Sequence, residues 1–218
     1  FKKGDKKAIK NYRPISLTET MRKVYERCLK GTLVECLEPL SIMQGGFRHR
    51  RSTMDQVLGI TQAILVKKKL KKDYILCFLD IKAAYDTVNR NHLWKMLAKI
   101  TGPMMLRTLM NLFDGMKNRL VVKGAKSPYI NLYNGLLQGS SLSPLLYAFY
   151  INELPKMLDE RCGRDRMGEM KISSFLYADD IALVADDVAH LKSMLKICDD
   201  FADELGFRFA PQKCEYIC

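Results

Sequence analysis

The sequence predicts an α+β fold in which an antiparallel-rich sheet is backed by helices. Three observations carry this. Tyr74-Ile75-Leu76-Cys77-Phe78-Leu79 is almost continuously apolar, as in a central strand buried on both faces, and it ends at Asp80. Residues 171–177 and 181–184 are two more apolar runs joined by Ala178-Asp179-Asp180, which reads as a hairpin. From residue 73 onward the pattern runs strand, helix, helix, hairpin, helix, hairpin, helix, strand.

Each element has its own signal. A first helix is expected from an N-cap at Thr18 or Thr20, with Met21, Val24, Cys28 and Leu29 on one face, ending before Pro39. Gln44-Gly45-Gly46-Phe47-Arg48-His49-Arg50-Arg51 is a glycine-containing basic loop. Ser52-Thr53-Met54-Asp55 resembles a capping box, and Val57, Leu58, Thr61, Ile64 and Leu65 follow at helical spacing. Helices are predicted over 89–100 and 103–116, and paired strands over 119–123 and 129–133. One helix should run from Ser141 or Ser143 to Leu158, with Pro144 tolerated in its first turn. A helix over 188–205 and a short strand near Phe207 complete the pattern.

The 218 residues are 48% hydrophobic, enough for a substantial core. The seven cysteines form no Cys-x-x-Cys pair and have no histidine at zinc-finger spacing, which argues against a disulfide framework or structural zinc. The longest apolar run, 142–151, is too short to span a bilayer, and Phe1-Lys2-Lys3-Gly4-Asp5 lacks the apolar core of a signal peptide. The chain is therefore expected to be intracellular, with no membrane association, and its start without Met suggests an excerpt of a longer protein. The net charge of +12 is uneven: residues 1–72 hold 18 Lys/Arg against 6 Asp/Glu, while residues 73–218 hold 18 of each. A solvated surface and a polyanion-facing subdomain both fit that asymmetry, and charge alone does not choose between them.

An aspartate ending a buried strand sits where a sheet meets an open cleft. Asp80 does so, and Asp179-Asp180 occupies the tip of a second hairpin. If the strands are neighbours, the carboxylates converge and repel unless a cation such as Mg²⁺ neutralises them. Ordinary turn and cap chemistry would equally place aspartates there. Asp186-Asp187 and Asp199-Asp200 read as helix-start and solvated-face charges.

Five segments, taken together and in order, resemble the reverse transcriptase family, in its non-LTR (LINE-type) retrotransposon branch and more distantly in its group II intron branch. Asn11-Tyr12-Arg13-Pro14-Ile15-Ser16-Leu17 and Gln44 to Thr53 are similar to the two fingers motifs. Phe78 to Asp86 (FLDIKAAYD) is similar to motif A, Gln138 to Pro144 (QGSSLSP) to motif B, and Tyr177-Ala178-Asp179-Asp180 to motif C. The resemblance implies the fingers and palm of a right-hand polymerase, with the thumb absent. Residues 1–72 would form a basic fingers subdomain and 73–218 the palm, with part of the fingers returning around 100–135, in one continuous domain. It further implies RNA-templated DNA synthesis from dNTPs on a DNA primer and two Mg²⁺ ions, with Mn²⁺ as a substitute. The thumb, endonuclease and other domains of a larger polyprotein would be partners, with the ribonucleoprotein cytoplasmic and integration nuclear.

By the same resemblance Asp80, Asp179 and Asp180 are metal ligands, joined by the backbone carbonyl of Ile81. Tyr85 is an aromatic gate in the space of a ribose 2′-OH, and Arg48 and Arg51 face the incoming triphosphate. Gln138 and Gly139 flank the nascent base pair, and Lys213 is a proton donor to pyrophosphate. Lys10, Arg13 and Arg50 are candidates for template phosphates. Ala210 and Leu137 depart from residues common in the family, Asn and Arg respectively, which bears on nucleotide handling. The alternative is a catalytically inactive, reverse-transcriptase-like scaffold that binds RNA.

Overall fold

In the computed structural model, residues 5–7, 11–12, 15–37, 40–163, 165–167 and 170–218 are described. Lys10 and Arg13 lie outside them. The organising element is β1 (Ile75–Asp80), flanked on one side by β9 (Asp180–Ala185) and on the other by β10 (Glu215–Ile217). With β8 (Ser174–Tyr177) outside β9, the sheet order is β10-β1-β9-β8, and every pairing is antiparallel. The central position of β1 accounts for its apolar run; Phe78 alone is exposed, at 37%.

One sheet face packs on α5 (Ser143–Tyr150), α6 (Glu153–Cys162) and α7 (Val188–Leu205) through Leu79, Ile181, Leu183, Tyr147, Met194 and Phe201. The other face packs on α2 (Thr53–Lys69) through Leu76, Phe175, Ala182, Val184 and Ala63. The α7 boundaries follow their caps: Asp187 accepts from the His190 N–H at 2.7 Å, and Gly206 ends the helix at φ 78°.

Several expectations are corrected. α1 (Thr20–Leu37) exposes Met21, Val24 and Cys28 and buries Leu33, Leu37 and Glu26 instead. Glu26 tolerates burial because Arg22 pairs with it at 2.9 Å and the Ser141 N–H donates to it at 2.7 Å. On α2, Val57, Leu58 and Leu65 point outward, while Gln56, Ala63 and Lys67 are buried. Lys67, in sequence part of a lysine run, is 2% exposed and pairs with Asp186 at the end of β9. The single helix expected to reach Leu158 is two, α5 and α6, broken at residues 151–152. Pro155 lacks the N–H that a continuous helix would need there. The closing strand is β10 rather than a strand near Phe207; Phe209 makes only an isolated bridge with Ile81.

α3 (Arg90–Leu97), capped by the Asn89 side chain at 3.2 Å, and α4 (Pro103–Phe113) precede an irregular ribbon. In it β2 (Lys117–Asn118) pairs with β5 (Ile130–Asn131), and β3 (Val121–Val122) pairs with β4 (Ala125–Lys126). A second ribbon, β6 (Asp165–Met167) with β7 (Met170–Ile172), was not anticipated. No helix among the described residues is long and apolar enough to cross a membrane.

A candidate carboxylate active site

The antiparallel register sets Asp80, the last residue of β1, directly opposite Asp180, the first residue of β9. Tyr177 pairs with Asp180 across the β8–β9 hairpin, so Ala178 and Asp179 form its tip, with Ala178 at φ 59°. Directly opposed side chains on antiparallel strands lie roughly 5 Å apart at Cβ, where like charges are unfavourable. Lys213, held in a 3-10 turn over Pro211–Lys213, donates its ammonium to Asp80 Oδ2. The turn is anchored by Ala210 N–H to Asp80 O at 2.8 Å and by Lys82 N–H to Arg208 O at 2.9 Å.

Partial desolvation first, and then the charges of Asp179 and Asp80, hold the carboxyl of the solvent-accessible Asp180 above its ordinary 3.8, while Lys213 opposes the shift. Its folded value thus exceeds the unfolded one. Protonated Asp180 favours the fold below 3.8, and that contribution is lost as pH rises through the folded value. Asp180→Asn is therefore expected to raise the melting temperature at neutral pH and to give no gain in acid, measured by thermal denaturation. An equal gain at both pH values would count against charge crowding.

Among the described residues, no three acidic, histidine or cysteine side chains already converge as a ligand cage. The donor chemistry nevertheless fits a hard cation: only carboxylate oxygens meet here, one with a raised pKa, and a lysine ammonium already supplies countercharge. Asp80, Asp179, Asp180 and the Ile81 carbonyl are the groups that could hold Mg²⁺. The Ile81 side chain itself is 3% exposed and serves the core.

Tyr85 stands beside this cluster. Its ring stacks on Tyr147, with centroids 5.1 Å apart and planes 12° apart, and Phe47 meets its edge at 6.4 Å. Burial, followed by the nearby Asp179 charge, raises its phenol pKa far above 10.0, so the ring stays neutral. Tyr147 and Phe47 were missed in the sequence. Tyr147 sits at helical spacing within an apolar run, and a core role and a backing role for Tyr85 leave the same pattern there.

Gln138 hydrogen-bonds the Asp86 side chain, and its carbonyl accepts from the Ser16 N–H at 2.8 Å. Gly139 adopts φ 136°, and a Cβ there would overlap the Ser16 carbonyl oxygen. The close approach that requires glycine is thus made by the N-terminal segment of the chain itself. Arg48 donates to the carbonyls of Ser41 (2.9 Å) and Gln44 (3.3 Å), which ties down its own loop. Arg50, at φ 57°, and Arg51 are exposed on that loop.

Gln44 is fully buried, and its Oε1 accepts from Gly46 N–H at 2.8 Å and Ala178 N–H at 3.2 Å. The loop also lies along β8, with Leu176 N–H to Met43 O at 2.9 Å and Gly45 N–H to Leu176 O at 2.8 Å. A Cβ on Gly46 would collide with the Ala178 backbone. The basic loop therefore grips the turn that presents Asp179. Gln44→Met should orphan both N–H groups, at about 1–3 kcal/mol each. The expected result is a melting temperature lower by several degrees, at about 2–4 °C per kcal/mol for a chain of this size. Faster amide exchange at Ala178 in the same variant would locate the loss.

The chain matches the family described as reverse transcriptase (RNA-dependent DNA polymerase) over residues 2–218. It is 28% identical over 204 residues to the Pol polyprotein of the type-1 retrotransposable element R2 of Nasonia vitripennis, covering 82% of this chain and 20% of that one. It is 30% identical to the probable RNA-directed DNA polymerase from transposon BS of Drosophila melanogaster, covering 80% of this chain and 19% of that one. The chain thus spans about a fifth of the length of these relatives. Among solved structures it is similar in fold to apo telomerase from Candida tropicalis, with a TM-score of 0.63 at 15% identity. That match covers 88% of this chain and 36% of that one.

Proposed function

Because the chain belongs to the reverse transcriptase (RNA-dependent DNA polymerase) family, we propose that its cleft adds deoxynucleotides to a primer 3′-hydroxyl on an RNA template, as the polymerase of a non-LTR retrotransposon. The observation that supports this most is the β1–β9 register, which sets Asp80 against Asp180 with Asp179 in the adjoining turn. Mg²⁺, when bound, supplies charge neutralisation at the attacking and leaving oxygens of an in-line displacement. Asp80, Asp179, Asp180 and the Ile81 carbonyl would hold it.

The remaining roles belong to the chain's own side chains. Lys213, paired with Asp80 before substrate arrives, has a transferable proton beside the site from which pyrophosphate would leave. Arg51 is exposed on the loop next to the cluster, where a guanidinium would engage triphosphate oxygens. Arg48 would contribute by keeping that loop in place. Gln138 and Gly139 would border the nascent base pair, and Arg50 would meet template phosphate; Lys10 and Arg13 are proposed for the same backbone role. RNA template, DNA primer and dNTPs are the proposed partners, and nuclear integration is the proposed setting.

Tyr85, braced from below by Tyr147, would exclude a 2′-hydroxyl by bulk. In the full-length protein, extension of oligo(dT) on poly(rA) with Mg²⁺ tests the activity. Tyr85→Val is expected to keep dTTP incorporation and to raise UTP incorporation by roughly 10-fold or more, an effect of about 1.4 kcal/mol on the barrier. RNA binding without any extension would favour the scaffold reading, and unchanged sugar selectivity would remove Tyr85 from the gate.

A further inference from the structure

Between Asp114 and Glu153 the chain has no acidic residue and four basic ones, Lys117, Arg119, Lys123 and Lys126. All four are exposed on the β2–β5 and β3–β4 ribbon. The rest of the chain from residue 73 onward holds 14 Lys/Arg against 18 Asp/Glu, so this is a local positive island in a net-negative part of the chain. The same ribbon leaves Leu120, Val121, Val122, Tyr129, Ile130 and Tyr133 between 51% and 80% exposed. The Arg119 guanidinium lies 5.2 Å from the centre of the Tyr129 ring. Lys123 and Gly124, both at positive φ, turn the tip and place Lys123 at its end.

The root of the ribbon is rigid and adjoins the cleft. Leu132 N–H bonds Met116 O at 2.9 Å, closing the base, and Arg90 binds the carbonyls on both sides of it. Gly135 N–H bonds Val88 O at 2.9 Å, and Leu136 N–H bonds Tyr85 O at 2.7 Å. The arm therefore leads into the segment that carries Gln138, which is bonded to the backbone of Tyr85.

We propose that this ribbon is a docking surface for single-stranded RNA, the stretch of template that has not yet reached the carboxylate cleft; the identity of that RNA as template rests on the polymerase reading. Exposed aromatic rings stack on bases of any sequence, and the cations meet phosphates. A partner protein would account for the apolar surface. It gives no reason for the complete exclusion of carboxylates, which a polyanion does.

The test is binding of fluorescein-labelled oligo(rA) to the full-length protein across a salt series, read by anisotropy. Asp80→Asn is present throughout, so nucleotide addition plays no part. Changing Lys117, Arg119, Lys123 and Lys126 together to Gln is expected to lower the salt slope of log affinity by roughly 2–3, at about 0.7 per phosphate on a single strand. Changing Tyr129 and Tyr133 to Ala is expected to weaken binding about 10-fold at an unchanged slope. Unaltered slope and affinity in both sets would overturn the proposal. So would unaltered binding accompanied by a lower melting temperature or a new elution volume, since the ribbon would then be packing against protein. Absence of extension by the unsubstituted protein would sink the polymerase reading and leave this binding result standing.

Discussion

Asp80→Asn is expected to lower primer extension by about 10³-fold or more, equivalent to roughly 4 kcal/mol of lost transition-state stabilisation. The amide keeps the shape of the carboxylate and the backbone pairing of β1 with β9, but it removes one of the charges that would hold a divalent ion. The fold should tolerate the change. Asp80 loses its ion pair with Lys213, a contact whose side chains are 24% and 41% exposed and which is worth no more than about 1 kcal/mol. Against that, the charge facing Asp180 disappears, and with it one of the causes that raise the Asp180 pKa. The two contributions oppose each other, and the melting temperature is expected to stay close to that of the parent. Primer extension and thermal denaturation on the same preparation check both statements. Retained extension would remove Asp80 from the catalytic centre. Lost extension with a collapsed melting transition would make its role structural.

The parts of the architecture that were legible are those set by local rules. The apolar run of β1, the hairpin around Ala178-Asp179, the helix that begins near Asn89 and the 188–205 helix each depend on neighbours within a few residues. The faces of α1 and α2 were not legible, because polar residues that find partners distant in sequence occupy the buried positions. Glu26 is satisfied by Ser141, and Lys67 by Asp186, both more than 100 residues away. The candidate site divides in the same way. Asp80, Asp179 and Asp180 announce themselves by ending or joining strands. Gln44 reads only as part of a loop motif, and its bond to Ala178 N–H spans 134 positions. Tyr147 is hidden for the opposite reason, since an aromatic inside an apolar helix looks like ordinary core.

Arg90 carries this logic furthest, and Arg90→Met is expected to be strongly destabilising. The residue is 7% exposed, and its guanidinium donates to four carbonyls: Gly135 (2.8 Å), Phe113 (2.7 Å), Leu132 (2.9 Å) and Asn134 (3.1 Å). Its ring-facing side lies 5.7 Å from the Phe113 centroid. Burial, and then the charge of Arg22, lowers its pKa, with Asp114 opposing. A buried cation is tolerable only when its donors are filled, and here the filling comes from backbone. Methionine would occupy much of the volume but leave four carbonyls short of a donor, a loss of about 3 kcal/mol or more. For a chain of this size the melting temperature should fall by roughly 6–12 °C. Arg90→Lys should recover little of it, because one ammonium cannot span the fork that reaches residues on both sides of the ribbon root. Amide exchange should accelerate first at residues 132–136, the segment joining the ribbon to Tyr85 and Gln138, while β1 and β9 stay protected. Uniform acceleration across the sheet would show instead that Arg90 supports the whole core and not this junction.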